Sequence, residues 1–291
     1  MTSTRTPGLA ALAVLVALSA CSNSNPPYPR GSLDKLYPQP PRPELLTVTV
    51  EGRSLQTARM SGSGSTPLLF VHGSPGDWQA WARYLDATRL ADYNPRIAVD
   101  RPGFGGSGAG KVIPDLRQQA KLIAGLIQPG AQAVVVGHSL GGPLVGWLLL
   151  DYPEKFCGGV MVAGSIAPEL ESPRWYNRLA QTWIAHWLAP REMLWSNTEI
   201  LALQGELEKL EPEWPRLQRK IIVVQGETDE LVDPRTADYA EARIPTAWRE
   251  VRRIPKVGHF MLWQQPETVM DAIESLGCGA TSAPPQAESA G

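Results

Sequence analysis

The stretch Ala133–Gly142, AVVVGHSLGG, decides the fold and the chemistry that we expect of this chain. A β-branched run over Val134–Val136 meets a Gly-rich turn, and an apolar segment of helical length follows, which predicts strand, sharp turn and helix. Ser139 stands at the turn between Gly137 and Gly141. The small neighbours allow a tight backbone, so that the serine hydroxyl projects above the strand end. The pattern predicts a nucleophilic serine, although a Gly-rich turn without catalytic meaning has the same form.

The composition fits an ordinary globular chain. A hydrophobic fraction of 43% and a charged fraction of 19% over 291 residues allow one large α/β domain or two small ones. Lys and Arg number 27 against 29 Asp and Glu, so there is no basic excess to attract nucleic acid. We therefore expect no nucleic-acid partner.

Residues 1–20 have the pattern of an export signal. Arg5 supplies a positive start, and the apolar run Leu9–Leu18 is too short to span a bilayer as a helix. The following LSAC, ending at Cys21, resembles a bacterial lipoprotein box, which implies a lipid (palmitate) on Cys21 and attachment to a membrane. Ser22 implies, by the same resemblance, the outer membrane of the cell envelope. A plain secretory signal is the alternative, and both interpretations predict export to the periplasm or beyond.

Proline density and tail composition suggest the domain boundaries. Residues 21–43 are rich in proline and predict an extended tether after the lipidated cysteine. Residues 44–278 form the predicted catalytic domain. Residues 279–291 are rich in Ala, Ser and Pro and predict a disordered tail.

Strands and helices alternate through most of the domain. A hairpin is predicted over 44–60. A helix with Trp78, Trp81 and Leu85 on one face is predicted after Pro67–Val71, and a helix over 115–127 leads to the strand before Ser139. Further buried strands are predicted at Pro67–Val71, Arg96–Val99, Gly159–Ala163, Lys220–Val224 and Arg249–Ile254. Such alternation predicts an α/β fold with a parallel sheet and helices on both faces.

The alternation stops between residues 165 and 217. This segment holds five of the ten tryptophans, Trp175, Trp183, Trp187, Trp195 and Trp214. An insertion here would lie over the carboxyl edge of the sheet, where ligands bind in open α/β folds. We interpret 165–217 as a helical cap whose tryptophans line the pocket or attach the cap to the body.

Cys157 and Cys278 remain once Cys21 is assigned to lipid. Each lies beside a predicted element at the amino edge of the strands, opposite the predicted site. In an oxidising compartment this placement fits a disulfide, and it fits two buried free thiols as well.

A serine nucleophile needs a base and an acid that orients it. Of the four histidines, His72 lies in a turn, His138 adjoins Ser139 on diverging side chains, and His186 lies in the cap. His259 follows the last strand at the catalytic edge and is the predicted base.

The predicted orienting acid is Asp229, just after the strand KIIVV. Asp233 is the alternative, but it precedes Pro234 and has the pattern of a helix N-cap. Glu227 and Glu230 are interpreted as solvated loop charges. The catalytic order along the chain is then Ser, Asp, His.

Five segments, HGSPGDW, DRPGFGGS, GHSLGG, GETDELV and VGHFMLWQQPE, resemble those of the α/β-hydrolases in the same order, between Leu45 and Leu276. The resemblance implies a mostly parallel eight-stranded sheet, a small helical cap, and a triad of Ser139, Asp229 and His259. It also implies no cofactor and no metal.

The oxyanion hole implied by the resemblance consists of the backbone N–H groups of Ser74 and Leu140. Relatives that attack alkyl carbons, such as epoxide hydrolases, carry aspartate at the elbow, so a serine there favours acyl chemistry. A small to medium carboxylic ester is the expected substrate. Amide or peptide, thioester and C–C hydrolysis on the same triad remain open, as does a non-catalytic binding module. The oligomeric state is also open.

The acidic stretch Glu206, Glu208, Glu211 and Glu213 bears on the peptidase alternative. It could hold the amine of a substrate, or it could be a solvated helix face.

Overall fold

The computed structural model describes residues 31–108, 110–172, 177 and 189–278. Several predictions fall outside these ranges, namely those on the signal peptide, Cys21, the C-terminal tail, His186, and the cap residues Trp175, Trp183 and Trp187.

One sheet organises the described chain. Its strands are β1 (Glu44–Val50), β2 (Arg53–Met60), β3 (Thr66–Val71), β4 (Tyr93–Val99), β5 (Ala133–His138), β6 (Phe156–Val162), β7 (Lys220–Gly226) and β8 (Arg249–Ile254). They form an 8-stranded sheet in the order β1-β2-β4-β3-β5-β6-β7-β8. Strand β2 is antiparallel to both of its neighbours, and all other pairs are parallel. The prediction of a mostly parallel eight-stranded sheet is confirmed.

Helices flank the sheet on both faces. The α-helices are α1 (Leu33–Leu36), α2 (Ala82–Leu85), α3 (Leu116–Ala124), α4 (Gly141–Asp151), α5 (Arg191–Leu210), α6 (Thr236–Arg243), α7 (Met261–Gln264) and α8 (Pro266–Glu274). Short 3-10 turns span Trp78–Trp81, Thr88–Leu90, Gly105–Ser107, Pro168–Leu170 and Glu211–Arg216. Within the described part of the chain, no helix is both long enough and apolar enough to cross a membrane.

The central strand β3 shows why helices cover both faces. Leu68, Leu69, Phe70 and Val71 are all buried, as expected for a parallel strand enclosed by helices. Because side chains alternate across a strand, Leu69 and Val71 pack in one apolar cluster with α3, α4 and α5. Leu68 and Phe70 pack in a second cluster with α2 and α8 on the opposite face.

Two predicted helices are shorter or tighter than the pattern indicated. The helix after β3 is the 3-10 turn Trp78–Trp81 followed by the single turn α2, although Trp78, Trp81 and Leu85 are buried as expected. Helix α3 begins after Asp115, whose side chain accepts a backbone N–H of the first turn at 2.8 Å. It ends at Ala124, before the predicted end at residue 127.

Residues 31–43 pack on the domain, whereas the sequence predicted an extended tether through residue 43. The backbone N–H of Gly31 donates to Gln79 Oε1 at 3.1 Å. Helix α1 follows, and then Tyr37, which is buried and donates its hydroxyl to the Ala82 carbonyl at 2.6 Å. An aromatic ring that buries its apolar surface and pairs its hydroxyl stabilises the docked segment. The predicted boundary at residue 44 is therefore too late.

The described parts of the predicted cap are two 3-10 turns and the long helix α5. Trp214 is fully buried and packs on α4, where a Cβ added to Gly146 would lie 2.6 Å from the indole ring. Trp195 is half-buried, with the Arg191 guanidinium 4.5 Å from its ring centre. Trp214 thus attaches this segment to the body of the domain.

A disulfide joins Cys157, near the start of β6, to Cys278, with 6.1 Å between the Cα atoms. Because β5 and β6 run parallel, this bond lies at the edge of the sheet opposite the end of β5, where Ser139 follows.

Candidate active site

Ser139 occupies a strained turn between β5 and α4. Its φ of 55° lies in the left-handed region that non-glycine residues seldom adopt. The turn has no space for side chains at the two flanking glycines. A Cβ on Gly137 would lie 2.1 Å from the Gly141 carbonyl oxygen. A Cβ on Gly141 would lie 2.5 Å from the Val71 carbonyl oxygen of the neighbouring strand. The turn is the sharp one that the sequence predicted.

Backbone hydrogen bonds hold Ser139 in this conformation. Its N–H donates to the Val162 carbonyl at 3.0 Å, so the end of β6 supports the turn. Its carbonyl accepts from Gly142 at 2.8 Å and from Ser165 at 3.3 Å. The surrounding structure thereby offsets the conformational strain and holds the half-buried side chain at the carboxyl edge of the sheet.

His259 and Asp229 meet at the same edge. His259 Nδ1 lies 2.9 Å from Asp229 Oδ2, and the two residues are only 8% and 6% exposed. Because a carboxylate accepts, Nδ1 carries the proton and Nε2 is left as the basic nitrogen. The other oxygen, Oδ1, accepts the N–H groups of Leu231 and Val232 at 2.8 and 2.9 Å, which fixes the carboxylate plane.

Opposing effects set the charge state of Asp229. Burial raises the pKa of this carboxyl, but the hydrogen bond and charge of His259, together with the N–H groups of Val232 and Leu231, outweigh burial. The net pKa lies below the ordinary value, so Asp229 is ionised at neutral pH.

The alternative acid, Asp233, takes no part in this arrangement. Its carboxylate pairs with the Arg235 guanidinium at 2.6 Å on the surface, and its Oδ1 accepts the Arg235 N–H at 2.9 Å. Helix α6 begins at Thr236, and its N-cap residue is Arg235. The prediction that Asp233 is the N-cap is therefore wrong, because the aspartate closes a local turn before the helix.

His138 lies against His259, a contact that chain spacing did not indicate. The two ring centres are 4.8 Å apart, and His138 Nε2 donates to the His259 carbonyl at 3.1 Å. Burial, and then the neighbouring His259, lower the pKa of His138 to about 3. His138 is therefore a neutral neighbour of His259 at physiological pH.

The loop after β3 carries the predicted oxyanion donor Ser74. It passes close to Ser139, because a Cβ on Gly73 would lie 2.9 Å from the Ser139 Cβ. His72 braces the loop, since its Nε2 accepts the Arg101 N–H at 2.9 Å and its protonated Nδ1 donates to the Gly73 carbonyl at 2.7 Å. Leu140, the second predicted donor, follows Ser139 directly and is buried.

A buried ion pair stands behind this loop. The Arg101 and Glu199 side chains are 0% and 1% exposed and are joined by Nη1–Oε1 at 2.6 Å. Arg101 lies in the segment DRPGFGGS, at the end of β4 and next to β3 in the sheet. No sequence signal marks Glu199, on the distant helix α5, as its partner.

Two further acids near the site were not singled out. Burial raises the pKa of Asp100 to about 7, against the lowering effect of the Gly106 and Trp78 N–H groups that it accepts. Burial also raises the pKa of Glu171, which bonds the Ser165 side chain and interacts electrostatically with His259. Asp100 holds the glycine-rich loop, and Glu171 lies near His259.

Three residues of the acidic stretch, on α5 and in the 3-10 turn that follows it, are engaged in structural contacts. Glu206 is buried and accepts the Leu116 N–H at the start of α3 at 3.0 Å. Glu211 pairs with Arg243 at 3.0 Å, and Glu213 pairs with a neighbouring arginine on the surface. The interpretation as a solvated face is wrong for Glu206, which interacts with the N-terminus of another helix.

The fold and this site define the class of protein. The chain belongs to the alpha/beta hydrolase family, which matches residues 68–272. Its known relatives support a hydrolase.

Two curated relatives share part of the sequence. The chain is 35% identical over 116 residues to the dihydrolipoyllysine-residue acetyltransferase component of the acetoin cleaving system of Cupriavidus necator, covering 39% of this chain and 30% of that protein. It is 32% identical over 104 residues to the pimeloyl-[acyl-carrier protein] methyl ester esterase of Proteus mirabilis, covering 36% and 38%. The matched segments thus span well under half of either relative.

A solved structure resembles most of the fold. Wild-type Cfl2 from Burkholderia cenocepacia superposes with a TM-score of 0.64 at 18% identity, covering 79% of this chain and 94% of that one. At this identity the likeness is one of fold.

Proposed function

We propose that this protein cleaves carboxylic esters of small to medium size through an acyl-enzyme on Ser139. The observation that carries the proposal is the 2.9 Å contact of His259 Nδ1 with Asp229, at the sheet edge where Ser139 is held in a left-handed turn. This contact leaves His259 Nε2 free of its proton, which is what a base for a serine hydroxyl requires.

In the proposed reaction, His259 Nε2 takes the proton of Ser139 Oγ as the oxygen attacks the ester carbonyl carbon. The N–H groups of Ser74 and Leu140 stabilise the resulting oxyanion. The C–O bond to the alcohol breaks, and the imidazolium returns its proton to the leaving oxygen. His259 then deprotonates water, which attacks the acyl carbon. The bond from that carbon to Ser139 Oγ breaks, and the imidazolium returns its proton to Ser139 Oγ as the acid is released. Ionised Asp229 stabilises the imidazolium during both acylation and deacylation.

Two features favour an ester as substrate. A serine at the elbow directs attack to an acyl carbon, and the partial relative in Proteus mirabilis is a methyl ester esterase. Three acidic residues that a peptidase could use to hold a substrate amine, Glu206, Glu211 and Glu213, instead bond the Leu116 N–H, Arg243 and a surface arginine. Ester cleavage therefore has more support than peptide cleavage.

The test is carried out on protein lacking residues 1–21. A fluorophosphonate probe should label Ser139 in the native protein and not in Ser139→Ala, and p-nitrophenyl esters of graded chain length should be turned over. Absence of labelling with the fold intact would favour a non-catalytic binding module. Turnover of amino-acid arylamides without ester turnover would favour a peptidase.

The proposal extends to location, with a lipid on Cys21 attaching the enzyme to the bacterial cell envelope. Its support is the resemblance of LSAC to a lipoprotein box after an apolar run of signal-peptide length. The full-length protein should incorporate labelled palmitate and be recovered in the membrane fraction. Cys21→Ser should prevent the labelling and move the protein out of the membrane fraction. A Cys21→Ser variant that stays in the membrane fraction would remove the lipid from the proposal.

A further inference from the structure

Glu199 links the helix α5 to the loop that carries the predicted oxyanion donor. Its Oε2 accepts the Ser74 hydroxyl at 2.6 Å and Arg101 Nη2 at 3.0 Å. Its Oε1 accepts Arg101 Nη1 at 2.6 Å and Gln119 Nε2 at 2.8 Å. The carboxylate is thus surrounded by donors, and the Ser74 contact has the length of a charge-assisted O–H bond.

Arg101 uses its remaining donors on the same loop. Its Nε donates to the His72 carbonyl at 3.0 Å, and Nη2 also donates to the Gly73 carbonyl at 2.9 Å. A further Nη1 contact reaches Gln119 Oε1 at 3.0 Å. The rigid fork of the guanidinium therefore fixes two successive loop carbonyls relative to Glu199.

The hydrogen bond from Arg101 to the Gly73 carbonyl determines where the Ser74 N–H points. The peptide bond between Gly73 and Ser74 is trans, and in a planar trans peptide the C=O and N–H groups point in opposite directions. With the Gly73 carbonyl held toward Arg101, the Ser74 N–H points away from it. Gly73 itself lies close to Ser139, because a Cβ added to Gly73 would be 2.9 Å from the Ser139 Cβ.

Stability alone does not account for this ion pair. Removing two charges from water costs several kcal/mol per ion, and apolar residues of similar volume often stabilise a fold as well or better. What apolar residues lack is the set of directed bonds to the two carbonyls and the Ser74 hydroxyl.

We infer that Glu199, acting through Arg101 and the Ser74 hydroxyl, is a positioning residue that aims the Ser74 N–H at the oxyanion. The inference rests on the proposed function, since the oxyanion forms only in an acyl transfer on Ser139. It assigns α5 a part in catalysis, because the helix supplies the carboxylate that holds the oxyanion loop.

The test compares Glu199→Gln and Ser74→Ala with Glu206→Gln. Glu206 lies on the same helix and is also buried, but it bonds the start of α3. Ser74→Ala keeps the backbone N–H and the Arg101–Glu199 pair, so it decides the question if Glu199→Gln does not fold. Two rates are measured, p-nitrophenyl ester turnover and fluorophosphonate labelling of Ser139, because both reactions place an oxygen in the oxyanion hole.

We expect Glu199→Gln and Ser74→Ala to lower kcat and the labelling rate about 10- to 100-fold, with KM changed less than about 3-fold. Glu206→Gln should stay within about 3-fold of wild type in both. Rates for Ser74→Ala that equal those of wild type, or losses in Glu199→Gln no larger than in Glu206→Gln, would overturn the inference. A wild-type protein whose Ser139 is neither labelled nor active would instead overturn the proposed function.

Discussion

At the scale of single residues, buried His138 links proton binding to folding. Its pKa is lowered to about 3 by burial and by His259, whereas an unfolded histidine titrates near 6.5. Below about pH 6.5 the unfolded chain gains a proton that the folded chain does not, so stability present above that pH is lost as the pH falls. Lowering the pH from about 7.5 to 5 should cost about 2 kcal/mol of unfolding free energy through this residue.

Urea unfolding of wild type and His138→Phe at both pH values checks this prediction. Phe supplies an aromatic ring that cannot take up a proton. The variant should therefore lose about 2 kcal/mol less unfolding free energy than wild type over the same pH interval. Equal losses in the two proteins would show that His138 titrates normally in the fold.

Asp229 is the residue whose change should most alter the state of the base. In Asp229→Asn an amide nitrogen can face His259 Nδ1, which moves the imidazole proton to Nε2 and removes the acceptor for Ser139. We expect ester turnover to fall about 10³- to 10⁴-fold. Asp233→Asn, which alters only a surface pair with Arg235, should remain within about 2-fold of wild type in the same assay.

At the scale of elements, the close approach of the β3 loop to the elbow leaves no room for a side chain at Gly73. A Cβ there would lie 2.9 Å from the Ser139 Cβ and 3.2 Å from the His138 carbonyl oxygen. Gly73→Ala should push the loop away from the nucleophile and lower kcat about 100-fold, in line with loss of an oxyanion donor. The variant should still unfold cooperatively.

The matched control for Gly73→Ala is Gly205→Ala on α5. A Cβ at Gly205 meets nothing within 4 Å, so it should leave activity unchanged and stabilise the helix by up to about 1 kcal/mol. Full activity in Gly73→Ala would mean that the loop lies farther from Ser139 than this geometry requires.

At the scale of the whole molecule, the disulfide links residues 121 apart in sequence. Closing so long a loop in the unfolded chain should stabilise the fold by about 2–4 kcal/mol. The double variant Cys157→Ala/Cys278→Ala should lower the urea unfolding free energy by that amount, with ester turnover unchanged because the bond lies at the opposite edge. Alkylation of both thiols in unreduced native protein would contradict the bond.

The sheet and the elbow could be predicted because their signals are local. Buried runs such as KIIVV mark strands, and Gly137 and Gly141 mark the sharp turn. The network around Glu199 could not be predicted, because Arg101 and Glu199 are 98 residues apart and charged residues such as these usually lie on the surface. Hydrophobic periodicity describes which faces are apolar, and it does not tell which polar side chains meet inside. For the same reason the helix-capping role of Glu206 was not foreseen.

The docking of Gly31 on Gln79 has a consequence for access to substrate. Gln79 lies in the 3-10 turn that follows the loop after β3, so the chain joins the domain at a residue that closely follows Ser74 in sequence. With a lipid on Cys21, the ten residues from Cys21 to Gly31 would span at most about 35 Å. So short a connection would keep the carboxyl edge of the sheet near the bilayer. The protein would then encounter membrane-dissolved esters at a far higher effective concentration than esters in bulk water.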